Sequence, residues 1–166
     1  MSLAETIAPQ LPYLRRFARA LTGSQESGDA YVVAVLETLV ADPQSFPETQ
    51  MKRVGLYKCF LKVWNSISLN RDAVAPKTQA DRSLEAITPR PRQAFLLASV
   101  EGFTTQQIAE ILDCPADEVG RLIEEAGEQI AEQTATDVLI IEDEPLISMD
   151  LEALVKGLRH RVSGVA

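Results

Sequence analysis

Apolar residues recur at three- and four-residue steps up to about residue 133, and this period predicts α-helices. Pro12 suits the first turn of one such helix and Gly23 suits its exit. Further apolar stripes predict helices over residues 27–41 and 50–69. The spacing therefore predicts a helical module over residues 1–69. The stripe of its first long helix consists of Leu11, Leu14, Phe17, Ala18 and Leu21.

Residues 70–82, NRDAVAPKTQADR, interrupt this pattern and predict a linker, because they are polar and contain a proline. A second module is predicted over residues 83–134, with two short helices around a tight break and a third helix ahead of them. Thr104 and Gln107 have the spacing of a capping box at the start of the middle helix. This layout is typical of a helix-turn-helix.

The period changes after residue 134. Residues 138–141 form an unbroken apolar run, which predicts a strand buried on both faces of a parallel sheet. An acidic turn and an amphipathic helix follow, and a second strand is expected from about Arg161. Residues 137–166 thus predict an incomplete βα start of a further domain, too short to close a core. The predicted fold class is mainly α.

Composition limits the possible functions. Of 166 residues, 46% are hydrophobic and 24% are charged, which is typical of a folded globular protein. No apolar run approaches the ~18 residues that span a bilayer, and the N-terminus lacks an export signal, so we expect a cytoplasmic protein without membrane contact. We find no nucleophile–base pair, no Gly-rich phosphate loop and no complete metal site, and we therefore predict no enzyme.

Charge is the most informative feature of the second module. Residues 116–133, its last helix, carry one basic and six acidic side chains, a net charge of −5. A DNA-recognition helix needs Lys or Arg, because each neutralised phosphate releases counterions. Asp117 and Glu118 complement the helix dipole, but that argument covers only the first turn. We therefore predict no specific DNA binding. The acids beyond the first turn are Glu124, Glu125, Glu128 and Glu132.

Several motifs resemble known families. Residues 91–130 resemble region 4 of extracytoplasmic-function sigma factors through PRQ, QIAEILDCP and EVGRLIEEA. Residues 11–69 resemble region 2 through RRFARALTG and KRVGLYKCFLKVW. DVLIIEDEP, residues 137–145, resembles the first strand and turn of a response-regulator receiver domain. The combination resembles the PhyR family, which regulates the general stress response of alphaproteobacteria.

This resemblance implies an anti-anti-sigma factor that acts by sigma-factor mimicry. A histidine kinase would control the receiver, and the released sigma-like domain would sequester the anti-sigma factor NepR and free the true sigma factor. We expect apolar helix faces and the cleft between the modules to hold an amphipathic helix of a NepR-like partner, with the acidic helix facing its basic residues. The expected contact residues are Val33, Leu36, Val40, Glu124, Glu125 and Glu128.

Glu142 and Asp143 match the paired carboxylates that hold Mg²⁺ in a receiver domain. The phosphoacceptor aspartate is expected beyond this sequence, so we predict Mg²⁺ only for a complete receiver and no cofactor for this chain. The alternative interpretation of the two acids is a cap on the helix that follows them.

A genuine sigma factor, binding promoter DNA and RNA polymerase, is the alternative function. The resemblance places Val33 and Ala34 where region 2 normally presents a Gln-Glu pair to the polymerase, which argues against it. Basic residues of the first module keep the alternative open, although they are also typical of a solvated helix face. These residues are Arg15, Arg16, Arg19, Lys52 and Arg53.

Overall fold

A computed structural model describes residues 3–49, 51–66 and 89–165, so the predicted linker lies outside the described residues. The chain divides into two compact units, residues 1–126 and 127–166. The predicted mainly α fold is confirmed. Its helices are α1 (Leu3–Ile7), α2 (Leu11–Thr22), α3 (Gln25–Ala41), α4 (Lys52–Ser66), α5 (Pro89–Ser99), α6 (Thr105–Leu112), α7 (Ala116–Thr134) and α8 (Pro145–Gly157), and its strands are β1 (Asp137–Ile140) and β2 (Arg161–Val165).

Helices α2 and α3 form a closely packed hairpin in the first unit. Helix α2 ends at Gly23, which has a φ of 65° that glycine adopts without strain. The Ser24 side chain then accepts a hydrogen bond from the backbone N–H of Ser27, so α3 begins at Gln25, earlier than the sequence predicted. Gly28 lies directly against the α2 backbone, where a side chain has no room.

An aromatic cluster forms the centre of this unit and joins the two predicted modules. The rings of Phe17 and Tyr57 lie 5.3 Å apart between centroids, and Phe103 lies 4.9 Å from Tyr57. Phe103 follows α5, whereas Tyr57 belongs to α4, so the two modules share one core. Trp64 of α4 is buried in the same core.

The helix-turn-helix is confirmed in α6, the turn that follows it, and α7. Both hydrogen bonds of the predicted capping box between Thr104 and Gln107 are present. Asp113 ends α6 with a φ of 50°. Val119, Leu122 and Ala126 form the buried face of α7.

The second unit contains β1 and β2, paired in parallel, and α8, which packs against both strands. The prediction that residues 138–141 are buried on both strand faces is wrong. Ile140 is buried, but Leu139 is 58% exposed, and Ile141 lies beyond the strand and is 78% exposed. A single helix covers only one face of this two-stranded sheet. Buried and exposed side chains therefore alternate along the strand.

Candidate partner-binding surface

The acidic residues of α7 lie on the surface of the helix-turn-helix. Glu124, Glu125 and Glu128 are all exposed, opposite the apolar stripe that packs into the core. Glu128 accepts a hydrogen bond from Arg159 at 3.0 Å, an ion pair that the sequence did not indicate. Arg121 is the one basic residue of α7 and is also exposed. The helix that would enter a DNA groove therefore presents mainly carboxylates.

The predicted apolar contacts on α3 are partly exposed. Val33 is 52% exposed and Val40 is 81% exposed, so both are available to a partner. Leu36 is half-buried and packs against the core. The three residues lie three and four positions apart and therefore share one face of the helix.

A cavity of about 830 Å³ lies between α4 and the α5–α6 pair, within the first unit. It lies at the junction of the two predicted helical modules, and its role as a partner-binding cleft stays a prediction. Its rim is basic, although Lys58 is paired with Asp113 and Arg90 with Glu118. Residues that line the cavity include Lys58, Lys62, Asn65, Pro91, Ile111 and Leu112.

Arg15 and Arg19 of the first module share one carboxylate of α3. Both guanidinium groups bind the carboxylate of Asp29, with Nη2–Oδ2 distances of 2.9 and 2.7 Å. These two donors hold the pKa of Asp29 well below its usual range. Lys52 lies over the ring of Phe46. Asp29 compensates one of the two positive charges, and the side chains of Arg15 and Arg19 remain 51% and 36% exposed, which fits the predicted solvated helix face.

Arg16 and Arg53 both bind Glu101, whose side chain has no solvent exposure. The Arg16 guanidinium donates to Oε1 from Nε at 3.1 Å and from Nη2 at 3.0 Å. Arg53 Nη2 donates to Oε2 at 3.1 Å and to the backbone carbonyl of Glu101 at 2.7 Å. The Tyr57 hydroxyl donates to Oε2 at 2.7 Å. Burial, followed by this hydrogen bond, raises the pKa of Tyr57.

Sequence reasoning missed this Glu101 cluster. Two weak signals were present. One is a glutamate directly before Gly102, a glycine that has a φ of 67° in the turn after α5. The other is the group of arginines on α2. Neither signal identifies the partner, because 85 positions separate Arg16 from Glu101.

Glu142 and Asp143 lie just after β1, as predicted. A side-chain oxygen of Glu142 accepts a hydrogen bond from the backbone N–H of Glu144 at 3.0 Å, and Glu144 is the N-cap residue of α8. This contact lies in the turn that precedes α8, whose N-cap residue makes no side-chain capping hydrogen bond, so the capping interpretation stays a prediction; Asp143 is exposed. Within the described ranges, no three potential ligands cluster as a metal site. The Mg²⁺ role of the pair stays a prediction.

None of the helices in the described part of the chain is both long and apolar enough to cross a bilayer.

The fold and surface together define a class: a sigma-factor-like helical domain followed by a βαβ segment. A family model described as the Sigma2 domain of PhyR matches residues 7–61. A second model, the sigma-like domain of response regulator PhyR, matches residues 84–133. The chain belongs to the PhyR family.

Relatives cover the whole chain. The phyllosphere-induced regulator PhyR of Methylorubrum extorquens is 52% identical over an alignment of 168 positions, which covers 100% of this chain and 63% of that protein. The chain therefore spans less than two thirds of this relative.

Among solved structures, PhyR from Bartonella quintana in complex with the anti-sigma factor NepR is 48% identical, with a TM-score of 0.89 over 99% of this chain and 64% of that one. PhyR from Brucella abortus is 49% identical, with a TM-score of 0.66, and the match covers 100% of this chain and 60% of that one. The sigma factor RpoE of Bartonella quintana, solved with NepR, is 18% identical and has a TM-score of 0.63 over 78% and 94%. This last likeness shows that the fold is that of a sigma factor.

Proposed function

We propose that this chain is an anti-anti-sigma regulator that binds a NepR-like anti-sigma factor in place of the true sigma factor. The observation that carries this proposal is a sigma-type helix-turn-helix whose recognition helix has a net charge of −5. A PhyR relative and a sigma factor have both been solved with NepR, which supports mimicry of one by the other.

The electrostatics of the first module support the same conclusion. Arg15, Arg16, Arg19 and Arg53 are the basic residues that a sigma factor would offer to nucleic acid or polymerase. Each is held in an ion pair by Asp29 or Glu101. These two carboxylates compensate half of the charge of the four arginines, which reduces what remains for the counterion release that drives binding to a polyanion.

The partner surface that we propose has an apolar part and an acidic part. Val33 and Val40 on α3 suit the apolar face of an amphipathic helix. Ile111 and Leu112 add apolar lining inside the cavity, whose rim is basic. The exposed carboxylates of α7 suit basic residues of the same partner and would accelerate encounter. We propose that the partner spans both helical modules.

The domain boundaries of the sequence prediction are retained as part of this proposal: modules at 1–69 and 83–134, a linker at 70–82, and the start of a receiver domain at 137–166. In a complete receiver, phosphorylation under a histidine kinase would control the sigma-like domain, and Glu142 and Asp143 would contribute to the Mg²⁺ site. We expect no catalytic activity from this chain and a cytoplasmic location.

The test is a titration of the purified chain with a purified NepR-like anti-sigma factor, followed by calorimetry, and a competition with the cognate sigma factor. We expect a saturable complex and displacement of the sigma factor. A folded chain that shows no binding heat would refute the proposal. Transcription with core RNA polymerase and a promoter fragment tests the alternative, since only a genuine sigma factor would direct it.

A further inference from the structure

The carboxylate of Glu101 is a charge buried in the middle of the first unit. Its side chain has 0% solvent exposure, and it accepts donors from α2 and α4 while standing at the end of α5. Burying an ionised carboxylate is costly unless partners compensate the lost hydration. Here the compensating donors are Arg16, Arg53 and Tyr57, and all of them belong to the first helical module.

The charge of Glu101 is therefore satisfied in the interior only when the second module is docked on the first. The guanidinium of Arg53 also lies 4.2 Å from the ring centroid of Phe103, which adds a cation–π contact across the same junction. Because Arg16 and Arg53 are 51% and 27% exposed, both can be rehydrated if the modules separate. The Glu101 contacts therefore favour the docked arrangement over any arrangement in which the modules are apart.

A second ion pair across the junction is weaker. Lys58 of α4 pairs with Asp113 after α6, but their side chains are 27% and 74% exposed. Exposed pairs contribute little because water and salt screen them. Buried Gln93 of α5 also donates to Asn65 of α4 at 3.3 Å, but that contact carries no charge. The Glu101 cluster is a buried connection between the modules with charged partners on two helices.

We infer that Glu101 is a positioning residue that holds the two helical modules in the arrangement recognised by a partner that spans them. This inference rests on the proposed function, in which one partner contacts both modules. Its proposed contacts are the exposed valines of α3, in the first module, and the exposed carboxylates of α7, in the second. A partner that needs both surfaces binds only the docked fraction of the molecules, so its apparent affinity falls with that fraction. Glu101 acts through this population and need not touch the partner.

The test uses Glu101→Gln, which keeps the side-chain size but removes the charge. Spin labels at Ala30→Cys on α3 and Gln106→Cys on α6 report the distance between modules, in a Cys59→Ser, Cys114→Ser background. We expect one narrow distance distribution for the parent and an added broad population for Glu101→Gln. We also expect the association rate constant for a NepR-like protein to fall about tenfold, since one charged hydrogen-bond network is weakened, while dissociation changes little.

Asp29→Asn is the matched control. Asp29 also binds two arginines, but all three residues lie in the first module, so the distance distribution should stay narrow. If Glu101→Gln loses its helical circular dichroism signal, Tyr57→Phe is measured instead, because Tyr57→Phe removes one donor to Glu101 and keeps the aromatic ring. Tyr57→Phe should broaden the distance distribution less than Glu101→Gln. Unchanged distances in the folded variant would overturn the inference. Failure of the parent to bind the NepR-like protein would instead refute the proposed function, and the distances would still decide the role of Glu101.

Discussion

Replacing Gly28 with alanine tests the packing of the α2–α3 hairpin. An added Cβ would lie 2.7 Å from the backbone nitrogen of Arg19, 2.8 Å from its Cα and 2.9 Å from the carbonyl carbon of Ala18. These are backbone atoms of α2, so no side-chain rotation relieves the overlap. Leu14 and Phe17 of the same helix have no solvent exposure, so α2 can retreat only by disturbing the core.

The expected effect follows from two opposing contributions. Overpacking a close contact destabilises a protein by about 1–3 kcal/mol. Alanine is favoured over glycine within a helix by roughly 1 kcal/mol, which offsets part of this. Because the overlap is with backbone atoms, we expect the overpacking cost to lie near the upper limit of this range and to exceed the gain in helix propensity. The net loss for Gly28→Ala is then about 1–2 kcal/mol, a sizeable part of the ~5–15 kcal/mol typical of a domain.

Urea denaturation measures this change as a shift of the midpoint at constant slope. Gly120→Ala is the matched control, since Gly120 is also helical but nothing lies within 4 Å of an added Cβ. That variant should gain about 0.5–1 kcal/mol from helix propensity alone. A Gly28→Ala protein as stable as the parent, beside a stabilised Gly120→Ala protein, would show that the reasoning from close packing is wrong.

Three further predictions concern charge and the partner surface. The two arginines lower the pKa of Asp29 in the folded protein, so the stability that Asp29 contributes is present above its pKa in the unfolded chain and is lost as the pH falls through its pKa in the folded protein. Asp29→Asn should therefore flatten the acid side of a plot of unfolding free energy against pH. An unchanged plot would contradict this. Replacing Glu124 and Glu125 by Gln should lower the association rate constant with a basic anti-sigma partner several-fold at low salt and should make that rate constant less dependent on salt. Stopped-flow fluorescence measures both effects. Rate constants equal to those of the parent would place the contact elsewhere. Val33→Asp and Val40→Asp should each weaken the complex in a calorimetric titration without lowering the melting temperature, because both side chains are already exposed; intact affinity would remove α3 from the interface.

Local features of this protein could be predicted from its sequence because their causes are local. The limits of α2 follow from Pro12 and Gly23, and the start of α6 from the capping box of Thr104 and Gln107. The acidic character of α7 is a property of composition, and its amphipathic spacing decides that the carboxylates face outward. These features were enough to predict a mainly α fold with a helix-turn-helix and to argue against DNA binding, whereas the sigma-like fold was implied by the resemblance of its motifs.

The tertiary structure alone decided which charges meet. Glu101 becomes a buried centre because two helices far away in sequence bring Arg16 and Arg53 to it, and no local pattern encodes that encounter. The exposure of Leu139 likewise depends on how many layers cover the strand. Hydrophobic period and capping act within a few residues, whereas ion pairing and burial depend on distances in space, which a chain acquires only when it folds.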